Sequence, residues 1–185
     1  MNLMPVINKT SNMKTIIITV SLLLFTNGFL YSQTTKSISE RKASKSIYVY
    51  TSDTKHSRVF VHKKNSIPPE YLKPNLTLKR VDQFSLNNKK SYSKSLFEVF
   101  SKERLSELQK SSIAITMYLD MKGNIRSVSF LSSPEITIYE LEKFEESLKK
   151  NVSFSFKIED DRGSVLEPCI INIRIQKVVD GSFPY

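Results

Sequence analysis

The sequence predicts an α+β fold. An antiparallel sheet of three to four strands carries two helices on one face, and a basic N-terminal region with a short hairpin precedes it. The first observation behind this is strict alternation. In Ile113-Ala-Ile-Thr-Met-Tyr-Leu119 every odd position is large and apolar. Val128 and Phe130 continue the pattern, as do Val152-Ser-Phe-Ser-Phe-Lys-Ile158 and Cys169 to Ile175. A period of two means one buried face and one wet face, which is the mark of antiparallel strands. The second observation is two stretches with helical spacing. Leu96, Phe97, Phe100, Leu105 and Leu108 predict one amphipathic helix within 93–110. The third is a capping box, Thr137 with Glu140, ahead of a second apolar stripe of Ile138, Leu141, Phe144 and Leu148. The order from residue 93 onward is therefore helix–strand–strand–helix–strand–strand.

The elements before residue 93 are read from composition. Residues 1–32 contain no Asp or Glu, carry Lys9 and Lys14, and include the apolar run Ile16 to Phe25. A basic start, a short apolar run and a polar exit describe a secretory signal peptide, with cleavage expected between Ser32 and Gln33. The run is shorter than the roughly 20 residues of a spanning helix. Met13 is a second plausible start. The protein is thus expected to be exported, periplasmic or secreted. No cysteine lies near the end of the run, so a cysteine-linked lipoprotein is not expected. Gln33 to Ser46 is Ser/Thr/Lys-rich without apolar period and reads as a flexible tail. Residues 47–92 form the basic region, with short strands at Ile47–Thr51 and Arg58–His62 and irregular loops from 64 to 92. Residues 93–185 are the α+β domain.

Charge is unevenly placed. Beyond residue 32 the chain keeps 26 basic and 18 acidic side chains. Residues 33–95 hold 14 basic against 4 acidic, whereas 96–185 hold 12 against 14. An exported basic segment suggests an anionic glycan or lipid surface as neighbour, and export argues against nucleic acid. Lys55, Arg58, Lys63 and Lys64, interleaved with Tyr48, Tyr50 and Phe60, are the candidate residues for such a surface.

Chemistry-bearing patterns are sparse. With four glycines in total there is no phosphate-binding loop, and no nucleophile–histidine arrangement has supporting context. His56 and His62 read as surface histidines, because six residues of strand set them about 20 Å apart. Glu145-Glu146 and Glu159-Asp160-Asp161 read as solvated charge. Cys169, the only thiol, cannot form an internal disulfide and reads as a small buried apolar residue. Asp120, Gly123 and Asn124 have the chemistry of a tight turn. No enzyme activity, metal or cofactor is expected.

The stretch Ile113 to Asp120, then Gly123-Asn-Ile125, then Val128-Ser-Phe-Leu-Ser-Ser133, resembles the TonB C-terminal domain. The continuation, Leu141 to Lys150 as helix followed by Val152 to Phe156, resembles it too, so the likeness covers about residues 96–178. The Tyr-Pro motif and proline-rich spacer of the TonB proteins themselves have no counterpart. The resemblance therefore implies a TonB-like domain on an exported protein, of the kind found in small Bacteroidetes-type families, rather than energy transduction. It also implies an exposed sheet edge that pairs with a peptide of an envelope protein. The candidate edges are Val152–Ile158, with Ser153, Ser155 and Lys157 outward, and Cys169–Val178, with Asn172, Arg174 and Gln176 outward.

Overall fold

A computed structural model describes residues 36–53, 55–73, 75–160, 162–163 and 165–183. The expected signal peptide lies outside them. Six strands form one antiparallel sheet: β1 (Lys36–Lys42), β2 (Ile47–Asp53), β3 (Arg58–Lys63), β5 (Ser112–Leu119), β6 (Ile125–Ser132) and β9 (Cys169–Arg174). Their order across the sheet is β1-β2-β3-β6-β5-β9. A second sheet, ordered β7-β4-β8, contains β4 (Leu78–Leu86), β7 (Phe154–Asp160) and β8 (Val165–Leu166). Helices α1 (Ser91–Phe97), α2 (Lys102–Glu107), α3 (Ile138–Asn151) and α4 (Ile175–Val179), with one 3₁₀ turn at Pro69–Leu72, complete the described elements.

The core lies on the face of the large sheet that carries Val61, Phe130, Ile115 and Ile173, all buried. Helix α3 covers it. Phe144 stacks on Phe130 with ring centroids 6.0 Å apart, and Phe100 meets Phe144 edge-on at 6.0 Å. Thr137 and Glu140 form the expected capping box, the Thr137 hydroxyl accepting from the Glu140 amide. Arg104 of α2 holds the same carboxylate at 2.7 Å and also donates to the Glu135 carbonyl. Burial alone would raise the pKa of Glu140, but the Arg104 guanidinium and the Thr137 donors outweigh it and hold the carboxyl below its usual range.

The sheet is wider than the sequence predicts. The expected tail at 33–46 contributes β1, whose residues pair with β2 from Lys36↔Asp53 to Lys42↔Ile47. Its sequence KSISERK lacks alternation because it is an edge strand with little to bury, and Ile38 is 73% exposed. The basic region is not separate from the α+β part. β3 pairs with β6 through Val61↔Phe130, and β4 pairs with β7 through Phe84↔Phe156. β4 itself falls in the stretch expected to be irregular. Its register shifts between Arg80 and Val81 and again between Val81 and Gln83. Bulges of that kind destroy the period-two signal.

The helix expected at 93–110 is two short helices. Leu96, Phe100 and Leu105 are all nearly inaccessible, but their spacings of four and five residues drift off one helical face. The chain breaks after Phe97, which is 51% exposed, and restarts where Ser101 caps α2 by accepting from the Arg104 amide. The expected last strand also ends early. Residues 175–179 are helical, so Gln176 is on α4 and not on a strand.

The Asp120–Asn124 turn forms as its residues imply. Asp120 Oδ1 accepts from the amides of Lys122 and Asn124, and Gly123 sits at φ +81°. Gly123 is also a contact point. Its carbonyl accepts from the Phe154 amide at 3.0 Å, and a Cβ built on it would lie 1.9 Å from the Phe154 carbonyl oxygen. Gly123→Ala should therefore destabilise the protein by at least about 2 kcal/mol in chemical denaturation. Ala at Gly181, which has φ +72° but no atom within 4 Å, should cost only the backbone strain of about 1 kcal/mol. Equal costs at the two sites would mean that Phe154 does not dock on the turn.

Candidate functional site: an open edge and its groove

Strand β9 is bonded on one side. It pairs with β5 through Ile113↔Ile173 and Met117↔Cys169, and no described strand lies on its other side. Period two directs Cys169, Ile171 and Ile173 toward the core face and Ile170, Asn172 and Arg174 toward the opposite face. Ile173 is completely buried, whereas Ile170 is 70% exposed. Asn172 and Arg174, both expected to face outward, are exposed.

Beside this edge runs a groove of about 330 Å³. Residues 169–171 of β9 line it, Cys169 and Ile171 from the core-facing parity, together with Phe84, Leu86 and Phe154 of the small sheet and Tyr92 of α1. Phe84 meets Phe154 at 6.0 Å and Phe156 at 5.9 Å, both edge-on, which fixes an aromatic cluster there. Lys89, in the loop before α1, is the one charged residue among those lining the groove. Half-burial, aided by the nearby Glu167 carboxylate, pushes the Cys169 thiol up to about 11.

The other expected edge, residues 152–158, does not join the large sheet. Ser153 forms a bridge with Asn124, and β7 starts at Phe154 and pairs with β4. Ser153 accepts from the Asn87 amide through its carbonyl, and the Ser155 hydroxyl bonds Asn87 Oδ1 at 2.6 Å. Lys157 is exposed, opposite Gln83.

The four candidate basic residues are not brought together. Lys55 lies in the β2–β3 turn and Arg58 opens β3, whereas Lys63 closes β3 and Lys64 follows it. Five residues of strand separate Arg58 from Lys63 by about 16 Å. Lys64 is paired with Glu40 at 2.8 Å. His56 bonds Asp53 at 2.8 Å and His62 bonds the Lys63 carbonyl. Among the described residues no group of three or more His, Cys, Asp or Glu could hold a metal.

Glu145 departs from the expectation of solvated charge, and Glu142 is buried beside it. Glu142 and Glu145 are each only 3% exposed. Glu142 accepts from the amides of Ser44 and Lys45 at 2.8 and 3.1 Å, closing the β1–β2 turn onto α3. Glu145 accepts from the Tyr48 hydroxyl at 2.9 Å and from Lys149 at 2.6 Å. Burial, with Glu145 beside it, raises the Tyr48 phenol well above its ordinary pKa. Only Glu146, paired with Lys45 at 3.0 Å, is exposed. The available sequence signal was helical spacing: Glu142 and Glu145 lie three residues apart, each one position after a core residue, on the flank of the stripe Leu141-Phe144-Leu148.

No protein-family model matches the chain, and no curated protein matches it. Among solved structures its fold is similar to that of a DUF5043 family protein from Bacteroides uniformis ATCC 8492. The TM-score is 0.54 at 17% identity, and the match covers 77% of this chain and 94% of that one. A likeness at this identity is one of fold.

The thiol reports on the groove. With its pKa near 11 rather than 9, thiolate at pH 8 is scarcer by a factor of about 100, partly offset by the greater nucleophilicity of a more basic thiolate, so alkylation should be slower by about tenfold than for a free thiol. The rate should climb through pH 10 to 11. Reaction at the free-thiol rate at pH 8 would place Cys169 in open solvent.

Proposed function

We propose that this is a non-enzymatic exported protein of the cell envelope, and that it binds an extended peptide or protein segment by strand addition to β9. One observation carries the reading: β9 has an unpaired side that lies against an apolar groove. A segment laid along an open edge gains main-chain hydrogen bonds whatever its side chains, and a neighbouring pocket then supplies selectivity. The TonB-like order of strand, Asp-x-x-Gly turn, strand, capped helix and Phe-containing strand supports the same reading, because that family pairs its edge with a receptor peptide. The fold likeness to a Bacteroides protein suits a family of such bacteria. Export rests on the residues before Gln33. N-terminal sequencing of the exported protein should begin at or near that residue, and full-length protein in the cytoplasm would refute export.

The alternative is a basic surface that holds anionic glycan or lipid headgroups, favoured by the 14 basic against 4 acidic side chains of residues 33–95. Proline replacement separates the two. Alternate amides of β9 point away from β5, and proline there removes a donor while an edge strand tolerates the ring. Single prolines from Ile171 to Arg174, with Ser153 to Lys157 scanned in parallel, should yield folded β9 variants that lose envelope partners. Neutralising Lys63 and Lys64 should change little, and binding should persist at about 0.5 M salt. Folded β9 proline variants that keep their partners, together with lysine variants that lose them, would establish the anionic-surface reading instead.

A further inference from the structure

We infer that the segment received by β9 is acidic and places two apolar side chains, two residues apart, in the groove; this rests on the strand-addition reading above. The geometry comes first. A strand bonded to β9 would lie about 4.8 Å beyond it, and its side chains would alternate in step with those of β9. Side chains level with Cys169 and Ile171 then enter the groove, between those two residues and the Phe84–Phe154 pair. A side chain level with Ile170 falls on the opposite face, beside an isoleucine already 70% exposed. The demand is therefore apolar at one parity only.

Charge sets the rest. Lys89 is the one cation lining the groove, alongside residues 169–171, and Arg174 stands at the far end of β9. Neither forms an ion pair among the described residues, a state they share with several exposed lysines, so each is available to a partner's carboxylate. The carboxylate nearest Cys169 in sequence, Glu167, accepts from the Val81 amide at 3.1 Å, and its charge still reaches the Cys169 end of β9. An incoming strand with Asp or Glu beside its apolar pair meets Lys89 alongside the groove and Arg174 at the far end of β9, and a basic strand meets like charge at both.

The test uses the exported protein and labelled nine-residue peptides followed by fluorescence anisotropy. The parent peptide has Leu and Phe two residues apart, with Asp on both flanks. Its partners exchange Asp for Lys, exchange Leu and Phe for Ser, or N-methylate alternate backbone amides. The parent should bind tightest. Removing the apolar pair should weaken binding by at least about tenfold, since each buried side chain contributes more than that factor alone. The Lys peptide should be weaker by about twofold to fivefold, the range of exposed charge pairs. Lys89→Glu, a change at an exposed loop residue, should reverse that preference. If peptides of either charge and either apolarity bind alike, yet N-methylation abolishes binding, this inference fails and strand addition stands. If N-methylated and parent peptides bind alike, or no peptide binds, both fail.

Discussion

The path of the chain after α3 is set at one backbone junction. Phe154 donates its N–H to the Gly123 carbonyl at 3.0 Å, and the neighbouring pair Ser153 and Asn124 forms a bridge. Only a residue without Cβ allows this approach, because an added methyl would fall inside the Phe154 carbonyl. The tip of the β5–β6 hairpin therefore receives the start of β7 end-on, and β7 runs to β4 instead of along β9. Two consequences follow from that redirection. The large sheet is left with β9 unpaired on one side. The aromatic side chains of Phe84, Phe154 and Phe156 gather on a second sheet that faces the edge across a groove.

The opposite end of the large sheet depends on a different interaction. β1 and the ends of β2 bury little apolar surface, with Ile38 and Ile47 both exposed, and Tyr48 is the main side chain that β2 sends into the core. Their polar attachment to α3 comes from carboxylates. Two charge-assisted bonds from the Ser44 and Lys45 amides to Glu142 contribute on the order of 1.5–3 kcal/mol each, against the desolvation of that carboxylate. Tyr48 adds a bond to Glu145 beneath them. Buried charge of this kind gives geometry more than net stability: replacing either glutamate with alanine would leave buried donors unsatisfied, so the hairpin is held in one register.

How much of this could be read from the chain depends on how each element is buried. β5, β6 and α3 sit at the centre, one face apolar and one polar, and their periods predicted them with the capping box and the Asp120–Asn124 turn. β1 was hidden because an edge strand joined through its backbone needs no apolar face. β4 was hidden because two register shifts interrupt its alternation. The break between α1 and α2 follows from spacing that no single helix satisfies, a conflict visible in the drift from Leu96 to Leu105. At the site, Asn172 and Arg174 were placed correctly by parity. Gln176 was not, since alternation of Ile173 and Ile175 continues into a helix that local pattern cannot distinguish from strand over so few residues. Leu86, Lys89 and Tyr92 carried no signal at all, because they meet β9 only through the departure of β7.

The unpaired strands differ in how they are defended. Edges invite unwanted pairing, and proteins blunt them with charge, brevity or bulges. β1 carries Glu40, Arg41 and Lys42, all exposed, at its end. β7 presents Ser155, Lys157 and Glu159 to solvent. β8 is two residues long. β9 has none of these defences along its first half: Cys169, Ile170 and Ile171 run consecutively at the unpaired side, and Ile170 is 70% exposed. Brevity protects it only at the end, where α4 begins after Arg174. Among the described edges β9 alone lacks such a defence along its first half, and the apolar groove beside it is what the proposed strand addition requires.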